Sequence, residues 1–446
     1  MRSKSSTSSA NWHNELSSSA WAGRICVRLI AAILLFLSIS GGSASAQTPD
    51  GQVRSRLDLR IDHLTAQQLL TLPPAKLVDP YRQRAARELA HFRRPAFFVW
   101  VFSQVIALLW LWRSGSAARL RDFLRRRVRY LPVVRFLFGI ALGLIAGLSA
   151  LPVAFVVYRV DRNAGLTQQL ARSWLGDQLM QSVLTALAVG MLVAIIMYFV
   201  EKRRLWYVYT AAVLYLFTLA GAFIQPYLIA PLFNSYTPLP TNSALYARLH
   251  EVALKAGVGD APIYVTNLSK QSVSANAFVE GFGATKRIVV GDTLLQTATE
   301  GEVAFTLAHE IGHYVRGDVL RGIFVGWIFL VLTCAVTVLV ADRIGFRSDD
   351  DPLARLALVG ALLLVAALVV LFPLYNTYSR GVEARADQFA LKITGDRVSG
   401  ARLFVRFADD NLSLVCPSRI VRAYFYDHPP IGSRIAAVRG TPDPCP

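Results

Sequence analysis

The sequence predicts a mostly α, multi-pass membrane protein: a helical transmembrane bundle carrying a small α+β domain. Three observations predict it. Of the 446 residues, 54% are hydrophobic and mean hydropathy is +0.41, too apolar for an ordinary soluble chain. Uncharged runs long enough to cross a bilayer recur along the chain. Between the fourth and fifth of them, short β-type segments appear beside a helix-compatible run containing His309-Glu310-Ile311-Gly312-His313.

The chain begins Ser-rich and polar. Arg24 and Arg28 precede an apolar run from Leu29 to Ile39, and Ala44 and Ala46 give an Ala-x-Ala ending. Residues 1–46 therefore read as a signal peptide, with an uncleaved first transmembrane helix as the alternative. Residues 47–94 form a polar segment of mixed charge, helical towards its end, in which His63 and His91 are lone histidines. Residues 95–231 hold four expected spans, Pro95–Trp112, Phe136–Val157, Gln178–Val200 and Leu205–Pro231. Trp110, Trp112, Trp206, Tyr207 and Tyr209 sit near their ends as interfacial anchors. Pro226 and Pro231 should kink or end the fourth.

Residues 232–320 read as a catalytic domain. Asn234 to Pro240 is a linker and Leu245 to Ala256 an amphipathic helix. Pro262–Val265, Ala277–Val279 and Ile288–Val290 are β-rich runs, and the His309 helix follows. Thr299 and Glu302 have capping-box spacing at its start. Residues 321–378 form a transmembrane hairpin (Gly322–Ala341 and Leu356–Tyr378), and 379–446 a second polar piece.

On a helix, residues four apart share a face, so His309 and His313 can bind one metal ion together. Two imidazoles favour zinc. Glu310, one step round, could take the proton of an attacking water. Such zincin-like chemistry needs a third ligand. Glu383 could supply it, and Asp387, on the same helical face, could hold a ligand imidazole. The alternative is an exposed helix with a Glu383/Arg380/Asp387 charge network.

The net charge of +18 does not point to nucleic acid. The arginines flank apolar runs, as beside anionic lipid, and no zinc ribbon or RNA-type aromatic motif is present. The segment Arg113–Arg135, with Arg119, Arg121, Arg125, Arg126, Arg127 and Arg129, is the most basic short loop, and Glu201-Lys202-Arg203-Arg204 falls on its side of the membrane. The positive-inside rule puts both in the cytoplasm and the 232–320 segment outside, in periplasm or lumen, although the Arg-rich 47–94 segment would then be outside too. Cys416 and Cys445 could pair, which fits an oxidising compartment. A transporter should carry charges within its spans, and these runs have none.

H-E-x-x-H followed by two spans and Ser379-Arg380-x-x-Glu383-x-x-Ala386-Asp387 resembles the integral-membrane zinc metalloproteases of peptidase family M48. These comprise the type I CAAX prenyl endopeptidases and the related protease HtpX. Asn276 to Gly283 with Lys286–Val289 and Asp292–Leu295 is similar to the family's substrate-binding strand region. Asn234 to Leu239 resembles its linker, and His428-Pro429-Pro430 with Arg434 its H-P-P-x-x-x-R motif. The resemblance implies one zinc ion on His309, His313 and Glu383, with Glu310 as base and Asp387 behind a ligand. It implies His428 and Arg434 near the reacting carbonyl, and substrate binding by Asn276, Ala277, Phe278 and Val279. Bottom-up, His428 could donate to an oxyanion, or be a structural histidine in a proline turn. Tyr424 and Tyr426 are further donors or packing residues. The substrates implied are prenylated or membrane-associated peptides and proteins. The alternatives are HtpX-like quality control of membrane or exported proteins and a metal-binding membrane sensor or scaffold. The expected location is the cell (inner) membrane. The family's catalytic domain faces the cytosol, against the charge reading above.

Overall fold

The structure, a computed structural model, describes residues 59–202, 206–259, 261–281, 286–343 and 351–445. The leader reading at 1–46, the start of the 47–94 segment, Arg203, Arg204, Phe282 and Gly283 lie outside these residues. Six helical stretches among the described residues are long and apolar enough to cross a membrane.

A 3-10 turn (Arg60–His63) and short helices α1 (Ala66–Thr71) and α2 (Pro74–Leu77) precede α3 (Pro80–Arg113), α4 (Ser116–Arg127), α5 (Leu131–Asn163), α6 (Ala171–Lys202) and α7 (Trp206–Ile224). At ~1.5 Å per residue, α3 is about 50 Å long, more than the ~30 Å hydrocarbon core. It runs through position 94 without a break and contains Pro95, which the apolar run alone had made a span's first residue. Its N-terminal turns stand clear of the bilayer thickness. There Arg82 Nε donates to the carbonyl of Asp409, and Gln83 Nε2 to that of Ser413. Helices α5 and α6 touch closely because Gly139 and Gly190 meet, where an added Cβ would stand 2.8 Å from the partner helix's backbone. As expected of Pro226 and Pro231, α7 gives way to a π turn (Gln225–Ile229) and a 3-10 turn (Ala230–Leu232).

The α+β domain follows: β1 (Tyr236–Pro238), α8 (Ala244–Lys255), β2 (Ile263–Thr266), β3 (Ala277–Glu280), β4 (Arg287–Gly291), α9 (Asp292–Thr297) and α10 (Glu300–Val315). The sheet order is β1-β2-β4-β3. β4 is parallel to β2 and antiparallel to β3. The expected linker at 234–240 therefore holds an edge strand, β1, paired antiparallel to β2. α10 has the expected capping box, Thr299 and Glu302 satisfying each other's backbone N–H. Glu302 does double duty, since Arg406 Nε donates to its other oxygen at 2.8 Å in full burial.

Helix α11 (Asp318–Arg343) enters the membrane almost directly. The chain returns through α12 (Pro352–Ala366), a π turn (Ala367–Leu371) and α13 (Phe372–Thr394) as one helical stretch. α14 (Arg397–Asp410), α15 (Arg419–Phe425) and α16 (Ile431–Arg439) complete the fold.

One apolar core joins pieces that are far apart in sequence: Ile61, Leu69 and Leu77, strand residues Ile263 and Ile288, Phe305 and Ile311 of α10, and Phe404 and Ile435. The 59–78 segment is thus a belt on the α+β domain. Arg402 donates to the carbonyls of Ile61 and Leu64, and Arg439 to those of Leu69 and Leu72.

Candidate metal centre

Helices α10 and α13 pack along each other, and Gly312 permits the approach: a Cβ there would lie 3.0 Å from the Phe389 ring. Their contact brings together His309 and His313, one turn apart on α10, and Glu383 on α13. One ligand atom from each lies within 4.8 Å of the others. Nε2 of His309 is 3.1 Å from Oε2 of Glu383 and 3.2 Å from Nε2 of His313. Both imidazoles present Nε2 to the cluster because a carboxylate stands behind each ring. Nδ1 of His309 lies 2.9 Å from Asp387, and Nδ1 of His313 lies 3.2 Å from Asp318. Such partners orient ligand imidazoles and raise their basicity.

The exposed charge network that the sequence also allowed is not what forms. Glu383 and Asp387 are buried. Arg434, buried too, gives Nε and Nη2 to Asp387 at 2.8 and 2.7 Å, with its guanidinium 4.2 Å from the Phe404 ring centre. Arg380 turns away from the carboxylates. With Asn376 it donates to the carbonyls of Arg422, Ala423, Tyr424 and Tyr426, capping the C-terminus of α15. That cap sets the turn Asp427–Pro430 beside the cluster. There Nε2 of His428 is 3.1 Å from Glu383 and Nδ1 is 2.8 Å from Asp427.

The electrostatics favour a cation among these groups. Burial pulls the His309 pKa down, yet the contacts with Asp387 and Glu383 prevail and hold it at about 10. For His428 burial also lowers the pKa, and Asp427 and Glu383 override this to about 9. Burial pushes the Glu310 carboxyl up, against the pull of His309 and His313. A raised carboxyl takes up a proton more readily than a free one, which suits a general base. The donor set of two imidazole nitrogens and a carboxylate, each oriented by a neighbour, fits zinc.

Two spaces meet at α10. A cleft of about 510 Å³ is bounded by His309, Glu310, Asn276, His428 and Tyr426. A cavity of about 1090 Å³ extends from His313, Tyr314 and Val279 to Leu184, Leu187, Met191 and Phe217 on the membrane helices. Strand β3 is the sheet edge beside α10, with Asn276 exposed at its head, Ala277 buried, and Phe278 and Val279 half-buried. His309, Glu310, His313, Glu383, Asp387, His428, Arg434 and the strand from Asn276 to Val279 therefore converge on this region. Asp318 was missed. It opens the next helix five residues after His313, and the rule that a ligand histidine takes a carboxylate behind it is the signal that could have found it.

Residues 240–442 match the family model described as "Peptidase family M48", and residues 77–235 the one described as "CAAX prenyl protease N-terminal, five membrane helices". The "Uncharacterized metalloprotease YhfN" of Bacillus subtilis is 29% identical over 377 residues, covering 81% of this chain and 86% of that protein. A "CAAX prenyl protease 1 homolog" of Arabidopsis thaliana is 28% identical over 406 residues, covering 86% and 93%. The crystal structure of S. mikatae Ste24p superposes with a TM-score of 0.66 at 19% identity, over 97% of this chain and all of that one, a likeness of fold.

Proposed function

The chain belongs to peptidase family M48 and is a membrane-embedded metalloendopeptidase, and from that premise we propose how its residues divide the work. The observation that carries the reading is the His309–His313–Glu383 cluster, with Glu310 and His428 around it and a substrate cleft in front. His309, His313 and Glu383 would hold one zinc ion, which when bound would supply Lewis acidity to the reacting water and carbonyl. Glu310 takes the water's proton and passes it to the leaving amine. His428 donates to the carbonyl oxygen as negative charge develops there. Asp387 and Asp318 orient the two imidazoles. Arg434 gives Nε and Nη2 to Asp387 and so holds the carboxylate behind His309, while its guanidinium also lines the cleft near the reacting carbonyl. The substrate backbone adds to the edge of β3, from Asn276 through Val279.

The substrates are peptides anchored in the membrane by an apolar group, prenylated as in the relatives named CAAX prenyl protease. The 1090 Å³ cavity supports this: it opens on β3 and His313 at one end and runs between apolar side chains of α6, α7 and α11. The active site faces the periplasm or lumen. Helix α3 starts at the catalytic domain and ends at α4, and Arg121 and Arg125 of α4 pair with Asp351 at the start of α12. The arginine cluster therefore occupies the bundle end away from the metal ligands, and positive charge marks the cytoplasmic end. Cys416 and Cys445 form a disulfide, which persists in oxidising compartments.

The test compares wild type with Glu310→Gln on a farnesylated C-a-a-X peptide and its unprenylated twin. We expect the variant to retain one zinc per chain and to lose about 10²- to 10⁴-fold in kcat. Equal cleavage by both enzymes would refute the role of Glu310. Equal cleavage of both peptides would remove the prenyl group from the substrate reading and leave the protease. A C-terminal reporter active only in the cytosol would reverse the orientation.

A further inference from the structure

The disulfide has a second property besides marking a compartment. Cys416 and Cys445 are 29 residues apart, and the loop they close contains α15, the Asp427–Pro430 turn and α16. His428 and Arg434 lie inside that loop. His309, His313, Glu383, Asp387 and Asp318 all lie outside it, on α10, α11 and α13. The sulfurs press directly on the segment between His428 and Arg434. At Gly432 an added Cβ would stand 2.7 Å from Sγ of Cys445 and 2.9 Å from Sγ of Cys416. The Gly432 N–H donates to the carbonyl of Val415 at 2.9 Å, next to Cys416. Cys445 is buried, whereas Cys416 is exposed, so a reductant can reach the bond from that side.

We propose that the Cys416–Cys445 disulfide is a positioning clip for catalysis, holding the His428 turn over the metal ligands so that its reduction slows turnover without releasing the metal. The proposal rests on the role given to His428 above. Two constraints fix the turn: the caps from Asn376 and Arg380 in front, and the sulfurs pressed on Gly432 behind. Removing the rear constraint leaves α16 anchored by Arg434 on Asp387, by Arg439 on the Leu69 and Leu72 carbonyls, and by buried Ile435 and Val438. His428 has none of these anchors: its side chain is 46% exposed and is held by contacts with Glu383 at 3.1 Å and Asp427 at 2.8 Å. Local opening starts where buried contacts are few. The chemistry is a two-electron reduction. With a water-soluble trialkylphosphine the S–S bond breaks, phosphorus takes an oxygen from water to become the phosphine oxide, and the two protons of that water end on the two thiols.

The experiment uses the full chain in detergent, oxidised, phosphine-reduced, and as Cys416→Ser/Cys445→Ser. Alkylation and mass confirm the state of the bond. Zinc content, kcat and KM on the prenylated peptide, and amide exchange of residues 419–430 and 303–313, with and without zinc, are then read. We expect a fall of about tenfold or more in kcat, reversed on reoxidation, with KM and zinc stoichiometry unchanged. Exchange should quicken in 419–430 and not in 303–313, in the zinc-free protein as well. In His428→Ala, reduction should cost little further, because two changes acting through one group do not add. An unaltered kcat with the bond shown broken overturns the clip. Loss of zinc together with fast exchange in 303–313 also overturns it, making the bond a general staple. A fully active His428→Ala instead overturns the role of His428.

Discussion

His309, His313 and Glu383 stand on two helices that pack along their length, inside a core reaching from Ile61 to Ile435. His428, its side chain 46% exposed, stands on a turn fastened by caps and a disulfide. The two halves of one site are built by different means. The metal half needs ligand atoms fixed to tenths of an ångström, which buried, interlocked helices supply. On the proposed function the other half admits an extended peptide between itself and the edge of β3, and it is accordingly not walled into the core. This difference separates metal affinity from turnover, and single substitutions should pull the two apart.

The largest effect is expected at Glu383. Glu383→Ala removes a ligand from the packed half, so bound zinc should drop well below one per chain and activity by at least about 10³-fold. Stoichiometric zinc in that variant would mean a third ligand elsewhere. His428→Ala strikes the other half. We expect kcat to fall about 10²- to 10³-fold, as for removal of an oxyanion donor, with zinc content intact. A loss of zinc there would erase the contrast between the halves. Asp318→Asn weakens the support behind His313. Metal affinity should fall about 10- to 100-fold, with kcat at saturating zinc nearly restored, which metal titration of the purified variant would read.

The smallest effect concerns the seam between α3 and α14, away from both halves. Asp409 is fully buried and accepts from the Asp79 N–H at 3.0 and 3.2 Å, while Arg82 Nε donates to its backbone carbonyl. Burial raises its pKa from 3.8 to about 7, helped by the charges of Asp79 and Asp410 and opposed by the Asp79 N–H and Arg82. The folded state therefore holds this proton more tightly than the unfolded chain. Its contribution is fully present below about pH 4 and is lost as pH rises to about 7. Asp409→Asn keeps an acceptor without the charge. Its Tm should exceed that of wild type by a few degrees at pH 8 and match it near pH 4. A constant difference across that range would rule out the titration.

Much of this was legible in the chain. The capping box at Thr299 starts α10 where the spacing put it, and the i, i+4 histidines share a face. The apolar runs became helices, and Cys416 found Cys445. What stayed hidden was hidden for physical reasons. The helix through Pro95 outruns its apolar stretch, because polar turns of α3 are stabilised by Asp409 and Ser413, more than 300 residues away. The strand at Tyr236–Pro238 is made by pairing with β2. The 59–78 belt scatters its apolar residues among polar ones with no run long enough to stand out, yet it buries Leu59, Ile61, Leu64, Leu69, Leu77 and Val78 against a core assembled from everywhere else.

The sequence by itself determined the local chemistry: two histidines and a glutamate on one helix, in a chain that spans a membrane, since helical period and hydropathy are properties of neighbouring residues. Only the tertiary structure decided which distant carboxylates serve those histidines, because Glu383 and Asp387 reach them through helix packing. It also decided that Arg434 holds Asp387 and that a sulfur bridge bears on the turn of His428. These are contacts between residues the chain keeps apart, and a periodicity carries no record of them.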